Sequence, residues 1–150
     1  NNVLGLPSGT LGADVLTQGK KQLAENYSDI SQIEHEKVIS VSEHTGFYSI
    51  KTNKNKYKTT IVVLALNYAK PFLFKGLENY IEPHQRAKAV KDRIQLKNDG
   101  YLVTKGLYVC GTLSGCRSQF AIAAGSGATV ATDILTLWNK GEHSQVHDKI

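Results

Sequence analysis

Two stretches of the chain hold residues that could do chemistry by their types and spacing. In the first, Gly106-Leu107-Tyr108-Val109-Cys110-Gly111 leads through Thr112-Leu113-Ser114-Gly115-Cys116-Arg117-Ser118 into a segment rich in alanine and glycine that opens at Gln119. A buried strand, a tight loop and a helix start in that order form an anion site. The first helical turn leaves backbone N–H groups unpaired and carries the positive end of the helix dipole. A diphosphate or an electron-rich ring edge suits such a place. The same residues also suit plain packing, because alanine and glycine let a helix lie close to a sheet.

The second stretch is the C-terminal tail, where His143 and His147 stand four apart. They would share a face and reach one metal ion only on a helix, and Gly141 marks a helix end before them. With no third clustered ligand, no metal site is expected. His35, His44 and His84 are isolated, and no Ser/His/Asp or paired-carboxylate spacing supports hydrolase chemistry, so no catalytic residue is assigned. Cys110 and Cys116 are separated by five residues, a spacing that matches no familiar redox or metal motif. Cys110 falls on a strand expected to be buried, where a thiol is usually inert, so Cys116 in the loop is expected to be the more reactive of the two.

The elements that must position these residues read as mixed α/β. Residues 1–12 form a glycine-rich ordered loop, and Val15, Leu16, Leu23 and Tyr27 give an amphipathic helix over 13–27. From Ile33 the apolar period drops to two. Residues 33–42, 46–52 and 57–60, broken at His44-Thr45-Gly46 and at Asn53-Lys54-Asn55-Lys56, predict an antiparallel meander. The run Ile61 to Leu66 and the strand 106–110 suit a parallel sheet covered on both faces. Residues 68–105 are poorly patterned: a short helix over 85–97 is suggested by Ala87, Val90 and Ile94, and Asn98-Asp99-Gly100 reads as a turn before a strand at 101–103. A long helix covers 118–139, with Ala121, Ala124, Gly125, Ala128 and Ala131 on one side and Ile122, Val130, Ile134, Leu137 and Trp138 on the opposite flank.

With 150 residues, 41% of them hydrophobic and 21% charged, the chain has the length and composition of one globular domain. Its longest unbroken apolar run, Ile61 to Leu66, is far short of the roughly 20 residues a membrane-spanning helix needs, so no membrane partner is expected. The net charge of +5 concentrates at Lys51, Lys54, Lys56 and Lys58, a pattern expected to keep a hairpin solvated rather than to bind nucleic acid. Two cysteines and no secretory signal predict a reducing, cytoplasmic setting. The sequence holds no methionine and begins Asn1-Asn2, which predicts processing or further residues upstream.

The stretch 106–135 resembles the last FAD-binding segment of thioredoxin reductase-like flavoproteins. There a strand ending in Gly-Asp is followed by Arg-Gln-x-x-x-Ala-Ala-Gly-x-Gly at the head of the final helix; Gln119, Ala123, Ala124, Gly125 and Gly127 match in register. The N-terminal Asn2-Val3-Leu4-Gly5-Leu6-Pro7 and Leu11-Gly12-Ala13-Asp14-Val15-Leu16 are similar to that family's opening flavin segment, and the meander running into Ile61 to Leu66 to the stretch that ends in its Ala-Thr-Gly. The resemblance implies a Rossmann-like FAD/NAD(P)-binding domain over 1–150, with a parallel sheet and an antiparallel meander, that holds FAD as an oxidoreductase or electron carrier. By the same resemblance Asn2 lies beside the isoalloxazine ring and Val38 and Ala65 near the adenosine half. Gly111 and Thr112 fall at the diphosphate and ribityl chain, and the N–H groups of Gln119 and Phe120 at the pyrimidine edge of the flavin.

The chain departs from the family pattern in several places. Thr112 replaces the acidic residue after the glycine, Ala65-Leu66-Asn67 replaces Ala-Thr-Gly, and Ser118 replaces the arginine beside Gln119. No Gly-x-Gly-x-x-Gly opens the chain, so the first βαβ unit would come from missing residues or from another chain. Residues 68–105 form a short bridge where the family inserts an NADPH domain with its Cys-x-x-Cys, so reduction of thioredoxin by the family mechanism cannot reside in this chain alone. The electron donor or acceptor, whether protein or small molecule, stays open, and a homodimer is compatible with the resemblance. The alternative is a non-catalytic interaction or assembly subunit that keeps the fold with a decayed cofactor site.

Overall fold

The computed structural model describes residues 3–67, 72 and 75–144. The chain divides into two compact units, Asn1–Glu36 and Lys37–Ile150. In the first, α1 (Gly12–Asn26) begins where the Leu11 N–H donates to Asp14 Oδ2 at 3.3 Å, an acid placed to meet the positive end of the helix. None of its residues is buried. An exposed ion pair joins Lys20 to Glu34, and the hydrogen bond from Lys20 holds the Glu34 carboxyl below the usual carboxylate range. In full solvent such a pair adds little stability.

Among its described residues the second unit carries three small sheets and the long helix. β1 (Val38–His44), β2 (Phe47–Thr52) and β3 (Lys56–Thr59) form the antiparallel meander. His44 pairs with Phe47 across the tight turn at Thr45-Gly46, and the two rings stack at 4.6 Å. The second turn is closed by Thr52 Oγ1, which accepts the N–H groups of Lys54 and Asn55 at 3.1 and 2.8 Å. Residues 33–37, expected to begin the first strand, lie outside it.

β4 (Val62–Leu64) runs parallel to β8 (Leu107–Val109), and β7 (Leu102–Thr104) lies antiparallel on the other side of β8, giving one mixed sheet in the order β4-β8-β7. β8 is buried on both faces, as a glycine-bounded apolar run predicts. Leu107 and Val109 enter a core with Val41, Tyr48, Leu64, Leu77, Ile94, Leu96 and Leu113. Tyr108 and Cys110 face the other way and meet Val130 and Ile134. β4 departs from expectation: Leu64 is in the core, but Val63 is exposed, so one face of this strand is uncovered.

β5 (Ile81–Pro83) and β6 (Ile94–Leu96) pair antiparallel. The helix suggested over 85–97 is therefore not formed. Only Ala89–Lys91 makes a single 3₁₀ turn, and Ile94, Gln95 and Leu96 are all buried as strand residues. Tyr48 spans the core to donate its hydroxyl to the Lys105 carbonyl at 2.7 Å, and burial pushes its pKa up to about 12.

α2 (Phe120–Trp138) packs on β8 through Ser126, Val130 and Ile134, spaced at i, i+4, i+8. The alanine side expected to approach another element is instead exposed at Ala121, Ala124, Gly125, Ala128 and Ala131, and so are Ile122, Leu137 and Trp138 on the flank. A side-chain carbon added at Gly125 or Gly127 would meet nothing within 4 Å. By length and composition α2 would suffice to cross a membrane. Interspersed threonines and Asp133 keep its apolar runs short, which is why counting unbroken runs passed over it.

Candidate functional site

The site grows from the carboxyl ends of the two parallel strands. Register pairs Leu64 with Val109, so Ala65-Leu66-Asn67 and Cys110-Gly111-Thr112 leave the sheet side by side. Thr112 Oγ1 lies 3.4 Å from the Leu66 carbonyl, and the Cys110 N–H donates to the Leu64 carbonyl at 2.9 Å. The chain then turns through a 3₁₀ segment, Gly111–Ser114, and Ser114 Oγ donates back to the Gly111 carbonyl at 2.8 Å.

Gly111 adopts φ +68, and a Cβ built there meets nothing within 4 Å, so open space lies beside the strand end. Its N–H is not available to a ligand: it donates to Ser126 Oγ at 2.8 Å, and that hydroxyl donates in turn to the Ala123 carbonyl at 2.7 Å. Ser126, buried in the middle of α2, thus ties helix to strand. This polar tie was not singled out in the sequence, where Ser126 looked like a small residue among alanines and glycines. A diphosphate approaching Gly111 would use the space a side chain would fill, and not the Gly111 amide.

α2 opens without a side-chain cap. Gln119 is its N-cap, the Ala123 N–H donates to the Gln119 carbonyl at 3.0 Å, and the N–H groups of the first turn have no intrahelical acceptor. A cavity of about 220 Å³ leads to this helix start, lined by Arg117, Ser118 and Gln119 on one side and by the 84–91 loop on the other. The N-cap Gln119 lines this cleft, and Phe120, the first residue of α2, is exposed next to it in sequence without lining it.

The other residues implied by the resemblance are placed as follows. Ala65 is exposed just past β4, Val38 is half-buried at the start of β1 against the core that contains Leu64, and Gln119 and Phe120 are exposed. Asn2 lies outside the described residues. The structure thus brings Ala65, Gly111 and Thr112 to the carboxyl ends of the parallel pair and sets Gln119 and Phe120 at the head of the helix that Ser126 ties to Gly111.

Both cysteines are free and both are buried. Burial pushes the Cys110 thiol up. Cys116 lines the cavity, lies 3.3 Å from Ser114 Oγ, whose one proton goes to the Gly111 carbonyl, and lies 3.8 Å from the Tyr101 hydroxyl, a contact that with burial raises the tyrosine pKa. Iodoacetamide at pH 8 is expected to modify Cys116 in the folded protein, with Cys110 reacting only after unfolding. Mass mapping of the alkylated peptides checks this, and equal labelling of both sites would contradict it.

Among the described residues no group of three His, Cys, Asp or Glu side chains is arranged to hold a metal ion, and His147 lies outside them. The Lys51–Lys58 cluster is exposed on the β2–β3 hairpin, with Lys58 Nζ 4.0 Å from the centre of the Phe47 ring. No protein-family model matches the chain, and no curated protein is detectably similar to it.

Proposed function

We propose that this chain is an FAD-binding domain of the Rossmann-like type, similar to the FAD domain of thioredoxin reductase, with an oxidoreductase or electron-transfer role. The observation that carries the reading is the pairing of β4 with β8 in parallel, their carboxyl ends together, followed by a helix that starts uncapped at a cleft. Ligands of open α/β sheets bind outside the carboxyl ends of parallel strands, and a helix start favours negative charge. Bound FAD supplies the capacity to take up and release electrons. The chain's part is to receive the diphosphate and ribityl chain in the space beside Gly111 and Thr112. It sets the amides of Gln119 and Phe120 against the ring edge where reduction places negative charge. The electron partner is another protein or a small molecule, since no nucleotide-binding domain interrupts 68–105.

Thr112 is the weak point of this site. A neutral hydroxyl bonds a ribityl hydroxyl less strongly than a carboxylate does, by about 1 kcal/mol. Titrating purified protein with FAD and following flavin fluorescence tests the reading. Saturable binding at one FAD per chain is expected, tightened about fivefold in Thr112→Asp. A colourless protein that leaves FAD fluorescence unchanged at high ligand concentration would defeat it.

A second reading is favoured by a different observation. The flank of α2 exposes Phe120, Ile122, Leu135, Leu137 and Trp138, and β4 pairs on one side only among the described strands. Apolar surface of that extent on a sheet–helix edge suits assembly with another chain, so a subunit with a decayed cofactor site accounts for it without flavin.

A further inference from the structure

The loop between β5 and β6 forms the wall opposite the start of α2 in the same cavity, and the flavin reading makes no use of that wall. His84, nine-tenths buried, accepts on Nδ1 the N–H groups of Arg86 and Ala87 at 3.1 and 3.0 Å. That leaves the proton of the neutral ring on Nε2. The bonds fold the loop back so that Arg86 Nη1 donates to the Gly115 carbonyl at 2.8 Å. The guanidinium is thereby anchored in the wall of the 220 Å³ cavity, whose lining also includes Lys88, Lys91 and Arg117 and, among the described residues, no carboxylate. Four cations line one concave space, three from the single loop 86–91 and Arg117 from a segment distant in sequence.

We propose that this cavity is an anion site for a phosphorylated small molecule, seated by its phosphate. An anchored arginine with donors left over matches phosphate oxygens bidentately, and lysines add charge without demanding geometry. A water takes up about 30 Å³ in the liquid, so the cavity holds several times the volume of one small ion and accommodates a diphosphate or a phosphate with part of its organic group. The site occupies the same cavity that the FAD reading places at the start of α2, but its cations come from the β5–β6 loop and Arg117, which that reading does not use.

The test uses the full chain labelled with ¹⁵N and titrated with inorganic pyrophosphate at low salt. Saturable amide shifts confined to Arg86, Ala87, Ser118 and Gln119 are expected. The affinity should drop at least tenfold in Lys91→Glu/Arg117→Glu, two exposed positions whose change leaves the core intact. Arms with inorganic phosphate and ADP identify the source: tighter ADP than pyrophosphate means a nucleotide, the reverse a free diphosphate. Shifts that spread equally over the Lys51–Lys58 hairpin, or an affinity unchanged in the double variant, would overturn the proposal. Protein that binds pyrophosphate but not FAD keeps this site and loses the flavin reading; the opposite result does the reverse.

Discussion

Gly106→Ala is expected to destabilise the protein by about 3 kcal/mol, seen as a lower urea midpoint with an unchanged slope. Gly106 sits at φ +80 between β7 and β8, a conformation that costs a residue with a Cβ about 1–2 kcal/mol. An added Cβ would also lie 2.6 Å from the Thr60 carbonyl oxygen, a backbone atom that cannot swing away, and 3.3 Å from the Tyr48 ring. Relief requires separating β8 from the strand entry at Thr60. That displaces the bond from the Val62 N–H to the Gly106 carbonyl, 2.8 Å long, which starts the parallel pairing. The penalty therefore falls on the sheet that presents Gly111. A midpoint within error of the parent would show that this strand junction is looser than described.

Gly111→Asn is expected to weaken FAD binding more than tenfold while leaving the melting temperature within a few degrees. Asparagine enters the left-handed region at little cost, and a Cβ at position 111 meets nothing within 4 Å. That space is where the diphosphate and ribityl chain must pass, so a side chain that the fold tolerates blocks the ligand. The Gly111 amide still reaches Ser126 Oγ, which keeps α2 attached. Unchanged FAD affinity in a folded Gly111→Asn variant would remove Gly111 from the site. The contrast between the two glycines is useful: one substitution breaks the sheet and the other fills only the entrance.

Much of the positioning framework was legible because its signals are local. Turn residues at His44-Thr45-Gly46 and Asn53 to Lys56 set the meander, and β8 stood out as an apolar run between glycines. The helices 13–27 and 118–139 were each found to within two residues of the observed α1 and α2. The bridge 68–105 was not legible for the converse reason. Ala87, Val90 and Ile94 have helical spacing, yet Val90 is 88% exposed and Ile94 is 1% exposed in β6, so the apparent face was never a face. Packing of Ile94 and Leu96 into the common core outweighed local propensity. Residues Tyr68 to Pro71, Leu73 and Phe74 in that bridge lie outside the described part.

The site itself was half legible. The strand–loop–helix junction at 106–120 was visible as a pattern, whereas the hydroxyl tie from Ser126 to Gly111 depends on how α2 rotates against β8. The alanine side, which suits either close packing or the approach of a ligand, is exposed, and the Ser126, Val130 and Ile134 stripe packs instead. Arg86, Lys88 and Lys91 stand together in the sequence, but nothing local joins them to Arg117, which only the tertiary fold brings to the same cavity as the β5–β6 loop.

The most direct test of the central claim is an amide map of the ¹⁵N-labelled chain with and without FAD. The account predicts that the largest perturbations fall on Ala65 to Asn67, Gly111, Thr112, Gln119 and Phe120, the strand ends and the head of α2. Perturbations elsewhere with these amides silent, or none at saturating FAD, would contradict it.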